Sequence, residues 1–322
     1  MSTPAEPTGT IGIRLDDTTS DTLTLPSGRK LGYAQYGAPN GTPILYMHGF
    51  PSSRLEGAMF EPIAHKLGAR IIAIDRPGFG LSSPPPPDQP PRTLLSAAQD
   101  VHALTQHLGL RRYGVLGISG GGPYALACAK ALPAEELRAV CIVCGIGSPD
   151  MGYRGMQFPN YLGWTYGQRW LPGLVRWWFG RQPDARLDLS DEERLRLMRR
   201  GFEKEKAGMH PKDVAFFGDE NWMKMRLRLT RETYAQGLMG MSDDYRVLNS
   251  DFGFRIEDIR KDLPVQVWHG DKDVFAPTRH GREVAKRLGD NATLHITDDT
   301  HASISKDRQE GWMGDLVKAI RG

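Results

Sequence analysis

Tyr113-Gly114-Val115-Leu116-Gly117-Ile118-Ser119-Gly120-Gly121-Gly122-Pro123-Tyr124-Ala125-Leu126-Ala127 is the stretch whose reading decides the fold. Its first half is an uncharged apolar run, short enough for a strand buried on both faces. Its second half opens on a proline and is rich in alanine and leucine, the make-up of a helix. Between them stands Gly117-Ile118-Ser119-Gly120-Gly121, a G-x-S-x-G pattern. A chain that passes from strand to helix this abruptly brings its own backbone close, and side chains flanking the serine would clash there. The turn lifts the serine hydroxyl above the end of the strand. The N–H groups that follow, with the positive end of the next helix, face whatever negative charge develops beside it. The bare pattern is common by chance. The strand before it and the helix after it make Ser119 a candidate nucleophile.

The same alternation repeats outward. Residues 22–25 and 30–37 read as strands around the turn Pro26-Ser27-Gly28. The run 43–47 is apolar throughout and ends in His48-Gly49; 71–74 is another, closed by Asp75-Arg76-Pro77-Gly78. Helical spacing of apolar residues covers 56–67 and 92–108. Strands follow at 139–144, 264–268 and 292–296, with helices at 123–132, 279–288 and the C-terminus. Buried strands alternating with helices require a mostly parallel sheet covered on both faces.

That rhythm stops between 148 and 262, where no apolar strand is found. Helical segments take its place. One starts at Ser190 with a capping box to Glu193, and another spans about 220–239. The chain therefore divides into a polar tail (1–20), a first core part (21–147), a helical insertion (148–262) and a second core part (263–322). A length of 322 residues agrees with a core plus an insertion.

Composition excludes several classes. With 41 basic and 38 acidic residues the chain is nearly balanced, which gives no argument for nucleic acid as a partner. No apolar run is long enough to span a membrane, and the first residues lack an apolar leader core, so a cytoplasmic protein is expected. The three cysteines, Cys128, Cys141 and Cys144, are too few for a disulfide framework. The Cys141-x-x-Cys144 spacing falls in a strand and reads as buried free thiols. No metal cluster or dinucleotide motif is seen, so no cofactor is expected.

A serine nucleophile needs a base. Of nine histidines, His301 follows the last strand, where loops gather at the carboxyl ends of a parallel sheet. His65, His102 and His107 fall on helices. A histidine base needs an acid to set its tautomer. Asp273 is the first candidate, just after the strand ending at Trp268, with Asp271 and Asp150 as alternatives. Oxyanion donors are expected from the N–H of Gly120 and, beyond the strand ending at Met47, from the N–H of Phe50. Pro51 has none to give.

These segments resemble the α/β-hydrolase superfamily, in its lid-bearing esterase, lactonase and peptidase-like branch. The resemblance rests on His48-Gly49-Phe50-Pro51, Asp75-Arg76-Pro77-Gly78-Phe79-Gly80, Gly117 to Gly121, His269-Gly270-Asp271-Lys272-Asp273 and His301, and runs from about Leu23 to the C-terminus. It implies an eight-stranded, mostly parallel sheet with a helical lid between the sixth and seventh strands. It also implies the triad order Ser119, Asp273, His301. The family usually has glycine just before that histidine; this chain has Thr300.

Five of the seven tryptophans and eight of the twelve methionines lie in the insertion. A pocket under it is expected to be aromatic and adaptable, with Trp164, Trp178, Trp222 and His48 as candidate substrate contacts. The expected function is hydrolysis of an apolar carboxylic ester or lactone, with a small acyl compound as the partner. The elbow fits acyl transfer, cyclisation or C–C cleavage equally well, and a ligand-binding receptor on the same fold is a further alternative. Oligomeric state is not written in the sequence; a homodimer is compatible with it.

Overall fold

A computed structural model describes residues 13–322 apart from Gln89; residues 1–12 of the expected tail lie outside the described residues. Eight strands form one sheet: β1 (Ser20–Thr24), β2 (Lys30–Gly37), β3 (Thr42–Met47), β4 (Ala69–Ile74), β5 (Tyr113–Ile118), β6 (Leu137–Val143), β7 (Val265–Gly270) and β8 (Ala292–Thr297). Their spatial order is β1-β2-β4-β3-β5-β6-β7-β8. β2 pairs antiparallel with both β1 and β4, and every other pairing is parallel. The sheet is thus mostly parallel, as the alternation requires.

Period-2 geometry sends successive side chains of each strand into opposite layers. Leu45 and Met47 of β3 join one core with α2 (Leu94–His107) and α3 (Gly122–Ala131). Ile44 and Tyr46 join the other, with Ala64 of α1 (Glu61–Leu67). The expected helix at 56–67 is only half α-helical. Residues Arg54–Phe60 form a 3-10 turn, and the α-helix begins at Glu61, beside Pro62. Proline cannot donate to the preceding turn, so the α ladder starts there.

Between β6 and β7 the described residues form helices and no strand of the sheet. These are α4 (Phe158–Leu162), a π-helical turn (Gly163–Gly167), α5 (Gln168–Trp170), α6 (Pro172–Phe179), α7 (Asp191–Glu205), α8 (Pro211–Phe217), α9 (Glu220–Thr233) and α10 (Met239–Leu248). Two local expectations are corrected. The helix expected at about 220–239 stops at Thr233; Gly237 turns the chain at φ +83° before α10 opens at Met239. The capping box at Ser190 is only half formed. Ser190 Oγ accepts the N–H of Glu193, while the Glu193 carboxylate binds Arg196 instead. After β7 come α11 (Thr278–Leu288), α12 (His301–Asp307) and α13 (Gln309–Arg321). α13 completes the second core layer through Trp312, Leu316 and Ile320.

Sheet order places the functional region. β3 is followed by β4 on one side, and β5 returns to the other. The carboxyl ends of β3 and β5 therefore flank a topological switch point, where α/β sheets open a crevice for ligands.

Candidate active site

Ser119 follows β5 at φ +55°, one of two non-glycine residues in the left-handed region among the described residues. Holding serine there costs roughly 1–3 kcal/mol, which the surroundings must impose. They do so by close approach. A Cβ on Gly121 would come within 2.0 Å of the Met47 carbonyl oxygen, and one on Gly117 within 2.4 Å of the Gly121 oxygen. Backbone cannot yield to that contact, so these positions of the motif need glycine.

His301 opens α12. Thr300 is its N-cap, with Thr300 Oγ1 accepting from Ser303 N and Ser303 Oγ accepting from Thr300 N. Thr300 sits at φ −89°, so no glycine is needed before this histidine. His301 Nδ1 lies 2.7 Å from Asp273 Oδ2. Asp273 Oδ1 accepts the N–H groups of Phe275 and Ala276, each at 2.8 Å. Burial alone would push the Asp273 carboxyl up. The His301 charge and the histidine hydrogen bonds outweigh it and hold the group well below the ordinary carboxylate range. An ionised carboxylate only accepts, so Nδ1 of His301 carries the proton, and in the neutral imidazole Nε2 has the free lone pair. Burial lowers the His301 pKa, but the facing Asp273 charge more than reverses this, and the net shift is upward from 6.5. Of the alternative acids, Asp271 pairs with Lys272 and Asp150 with Arg287. Neither reaches the histidine.

Ser119 and His301 open onto one cavity of about 150 Å³. Phe50, Met59, Ile118, Phe216, Phe217 and Trp222 supply its apolar walls. Among the described residues no hydrogen bond joins Ser119 Oγ to His301. Such contacts are often long without substrate and tighten in the reacting complex.

The loop after β3 covers the serine; a Cβ on Gly49 would lie 3.8 Å from that of Ser119. Its orientation is set from behind. Arg76 donates to the carbonyls of His48 at 2.6 Å and Gly49 at 2.8 Å. Gly49 N donates to Glu56 Oε2 at 2.7 Å. Gly49 C=O and Phe50 N–H belong to the same trans peptide and point opposite ways. With the carbonyl turned to Arg76, the N–H of Phe50 faces away from it. The N–H of Gly120 begins the 3-10 turn Ser119–Gly121, where the first donors of a helical turn lack helical acceptors.

Arg76 is in turn held by Asp244 of α10 at 2.8 Å. Asp244 also takes Arg92 at 2.9 Å and the hydroxyl of Tyr124. Its side chain is fully buried and stays ionised because Arg76 and Arg92 offset the cost of burial. Asp244→Ala would strand the buried Arg76 guanidinium and leave Arg92 with Asp243 as its one carboxylate partner among the described residues. It is expected to destabilise the protein by about 3–5 kcal/mol, read as a lower urea midpoint.

The structure brings His301 within hydrogen-bond distance of Asp273 and sets Ser119, His301 and Trp222 on one cavity. His48 does not line it. It is fully buried, donates from Nδ1 to the Gly49 carbonyl at 2.8 Å and packs on Phe79. Burial and the nearby Arg76 keep it neutral. Trp178 does not line it either; it is 52% exposed on α6. Trp164 faces a second cavity of about 450 Å³, with Tyr153, Tyr161 and Arg279. It reaches the first only through Phe50, at 5.7 Å between rings.

Three contributors were missed. Arg76 was visible in the Asp75-Arg76-Pro77-Gly78 motif, though its contacts were not. Asp244 left no signal, being one acid among many on a helix. Cys144 was read as a buried thiol, yet its Sγ lies 3.9 Å from His301 Nε2. Burial pushes that thiol up, so it stays protonated. A neutral thiol is a poor metal ligand, and the cluster Cys144, Asp273 and His301 is better explained by the histidine–carboxylate pair.

A family model described as "alpha/beta hydrolase fold" matches residues 42–307. The non-heme chloroperoxidase of Streptomyces lividans is 36% identical over 126 residues, 38% of this chain and 43% of that protein. The alignment thus spans less than half of that relative. Solved structures resemble nearly the whole chain. An esterase from Exiguobacterium antarcticum gives a TM-score of 0.62 at 19% identity, over 94% of this chain and 99% of that one. An enol-lactonase from Burkholderia xenovorans LB400 gives 0.58 at 20% identity, over 94% and 100%. At that identity the structural likeness speaks for the fold alone.

Proposed function

The chain belongs to the α/β-hydrolase family, and from that premise we propose that it is a serine hydrolase cleaving a small apolar carboxylic ester or lactone. The observation that carries this reading is the His301–Asp273 hydrogen bond of 2.7 Å beside a cavity shared with Ser119. In this reading His301 Nε2 takes the proton of Ser119 as Oγ attacks the substrate carbonyl. The N–H groups of Phe50 and Gly120 receive the oxyanion. The alcohol or enol oxygen leaves with the proton from His301. Water, deprotonated by the same histidine, then releases the acid from Ser119.

The walls argue for substrate class. Phe216, Phe217, Trp222 and Met59 offer little to a charged group. At about 150 Å³ the cavity is small, with room for a short acyl chain. Residues 148–262 act as a cap in this reading, since Phe216, Phe217 and Trp222 come from α8 and α9.

Acyl–oxygen cleavage has a distinct outcome. With a phenyl ester of a short acid in oxygen-labelled water, the label is expected in the carboxylate and absent from the phenol. Product formed only when an added alcohol or amine is present would point to acyl transfer instead. Binding of the ester with no product would leave a receptor.

A further inference from the structure

Residues 151–183 contain no acidic residue and no lysine; their only charged side chains are Arg154, Arg169, Arg176 and Arg181. In the helical parts of this stretch, α4, the π-helical turn and α6, no residue is buried. Twelve large apolar side chains are exposed among the described residues, and eight of them stand here. Leu174, Trp177 and Trp178 share one face of α6 by their i, i+3, i+4 spacing and are each more than half exposed. The inward face is already occupied. Phe179 packs on the cluster of Phe79, Tyr234 and Met241, and Val175 lies against Gly167. α6 is therefore apolar on the side where a helix at a water-facing surface is ordinarily polar.

We propose that this face of the helical insertion docks on an anionic lipid surface. Eight half-exposed large side chains present on the order of several hundred Å² of apolar area, more than a monomer commonly leaves in contact with water. The aromatic side chains are interleaved with cations. The Arg181 guanidinium sits 3.8 Å over the ring of Trp177, and that of Arg169 5.1 Å over Trp170. Tryptophan beside arginine is the composition of helices that lie in the headgroup layer, with rings at the acyl boundary and guanidinium groups on phosphate. Among the described residues no helix is long and apolar enough to cross a bilayer, and the proposed contact is a peripheral one.

Charge decides between lipid and a second copy of the chain. A two-fold interface through this face would set Arg169 and Arg181, stacked on the exposed Trp170 and Trp177, against their own copies, with no acid of the segment to answer them. An anionic headgroup layer answers both. The whole-chain balance of 41 against 38 conceals this, because the acids are elsewhere. The inference does not depend on the chemistry at Ser119.

Co-flotation of the full chain with vesicles tests it. Vesicles of equal parts phosphatidylcholine and phosphatidylglycerol are expected to carry the protein up at low salt, with binding weakened by added salt; pure phosphatidylcholine is not. Trp177→Ser with Arg181→Glu should weaken partitioning on the mixed vesicles by at least about tenfold, and Arg181→Lys should restore most of it when Trp177 is intact. Circular dichroism of each variant checks that the fold is kept. No flotation with the mixed vesicles would overturn the proposal. So would a dimer in sedimentation velocity that the same substitutions dissociate.

Discussion

Alanine at Ser119 is expected to lower kcat on short aryl esters by about a million-fold, leaving only the slow background that oriented N–H donors support. The loss is this large because nothing nearby can replace the hydroxyl. Cys144 is close to His301, but its thiol is buried, raised in pKa and absent from the cavity wall. Without Ser119 no acyl-enzyme forms, so water activated by His301 has no acyl-serine to attack. The variant should fold normally, since Ser119 makes no side-chain hydrogen bond among the described residues. Steady-state kinetics on wild type and variant, with thermal unfolding as the control, read the effect. A variant within tenfold of wild type would show that another group attacks.

Asn at Asp273 is expected to lower kcat by about ten-thousand-fold while preserving shape. The reason lies in the two N–H groups of Phe275 and Ala276 that bind Oδ1. They keep an oxygen at that position, so the asparagine amide NH₂ must take the place of Oδ2 and face His301 Nδ1. Two donors cannot share that contact, and the imidazole moves its proton to Nε2. There it can no longer accept the serine proton. The pH profile gives an independent readout. His301 must be neutral to act as base, and its pKa is raised from 6.5 by Asp273. Activity should therefore fall as pH drops through a value above 6.5, and Asp273→Asn should move that acid limb downward. An unmoved limb would mean that the limiting titration belongs to another group.

The sheet was legible because it is written in local signals. Each buried strand is a short apolar run between turn residues, and β2 to β8 fall within two residues of where those runs lie. The turn that carries Ser119 was legible for a similar reason. The glycines around Ser119 answer to contacts within the elbow and with the adjacent β3 end, and the motif carries them in order. Helices of the insertion were harder. Apolar residues continue at Leu238 and Met239 beyond the turn at Gly237, so the expected helix overruns the end of α9 at Thr233.

Contacts made across the chain left no trace. His48 stands beside the candidate oxyanion loop in sequence but turns inward to Gly49 and Phe79. Trp178 has the residue type of a pocket wall and lies on an outer face. Asp244 is 168 positions from Arg76, and only folding shows that it holds the guanidinium that orients Gly49. Aromatic content of the insertion pointed to a pocket lining. In the structure much of it faces outward, and that displacement is the basis for the lipid-docking proposal.

Ser119 is the attacking group in the proposed reaction, and covalent trapping tests this. The wild-type chain is treated with a fluorophosphonate and digested, and the adduct is located by tandem mass spectrometry. A single phosphonyl group on Ser119, lost when the site is first filled with a slow ester, is the predicted result. An unlabelled Ser119 in folded protein, or an adduct on another residue that tracks the loss of activity, would contradict it.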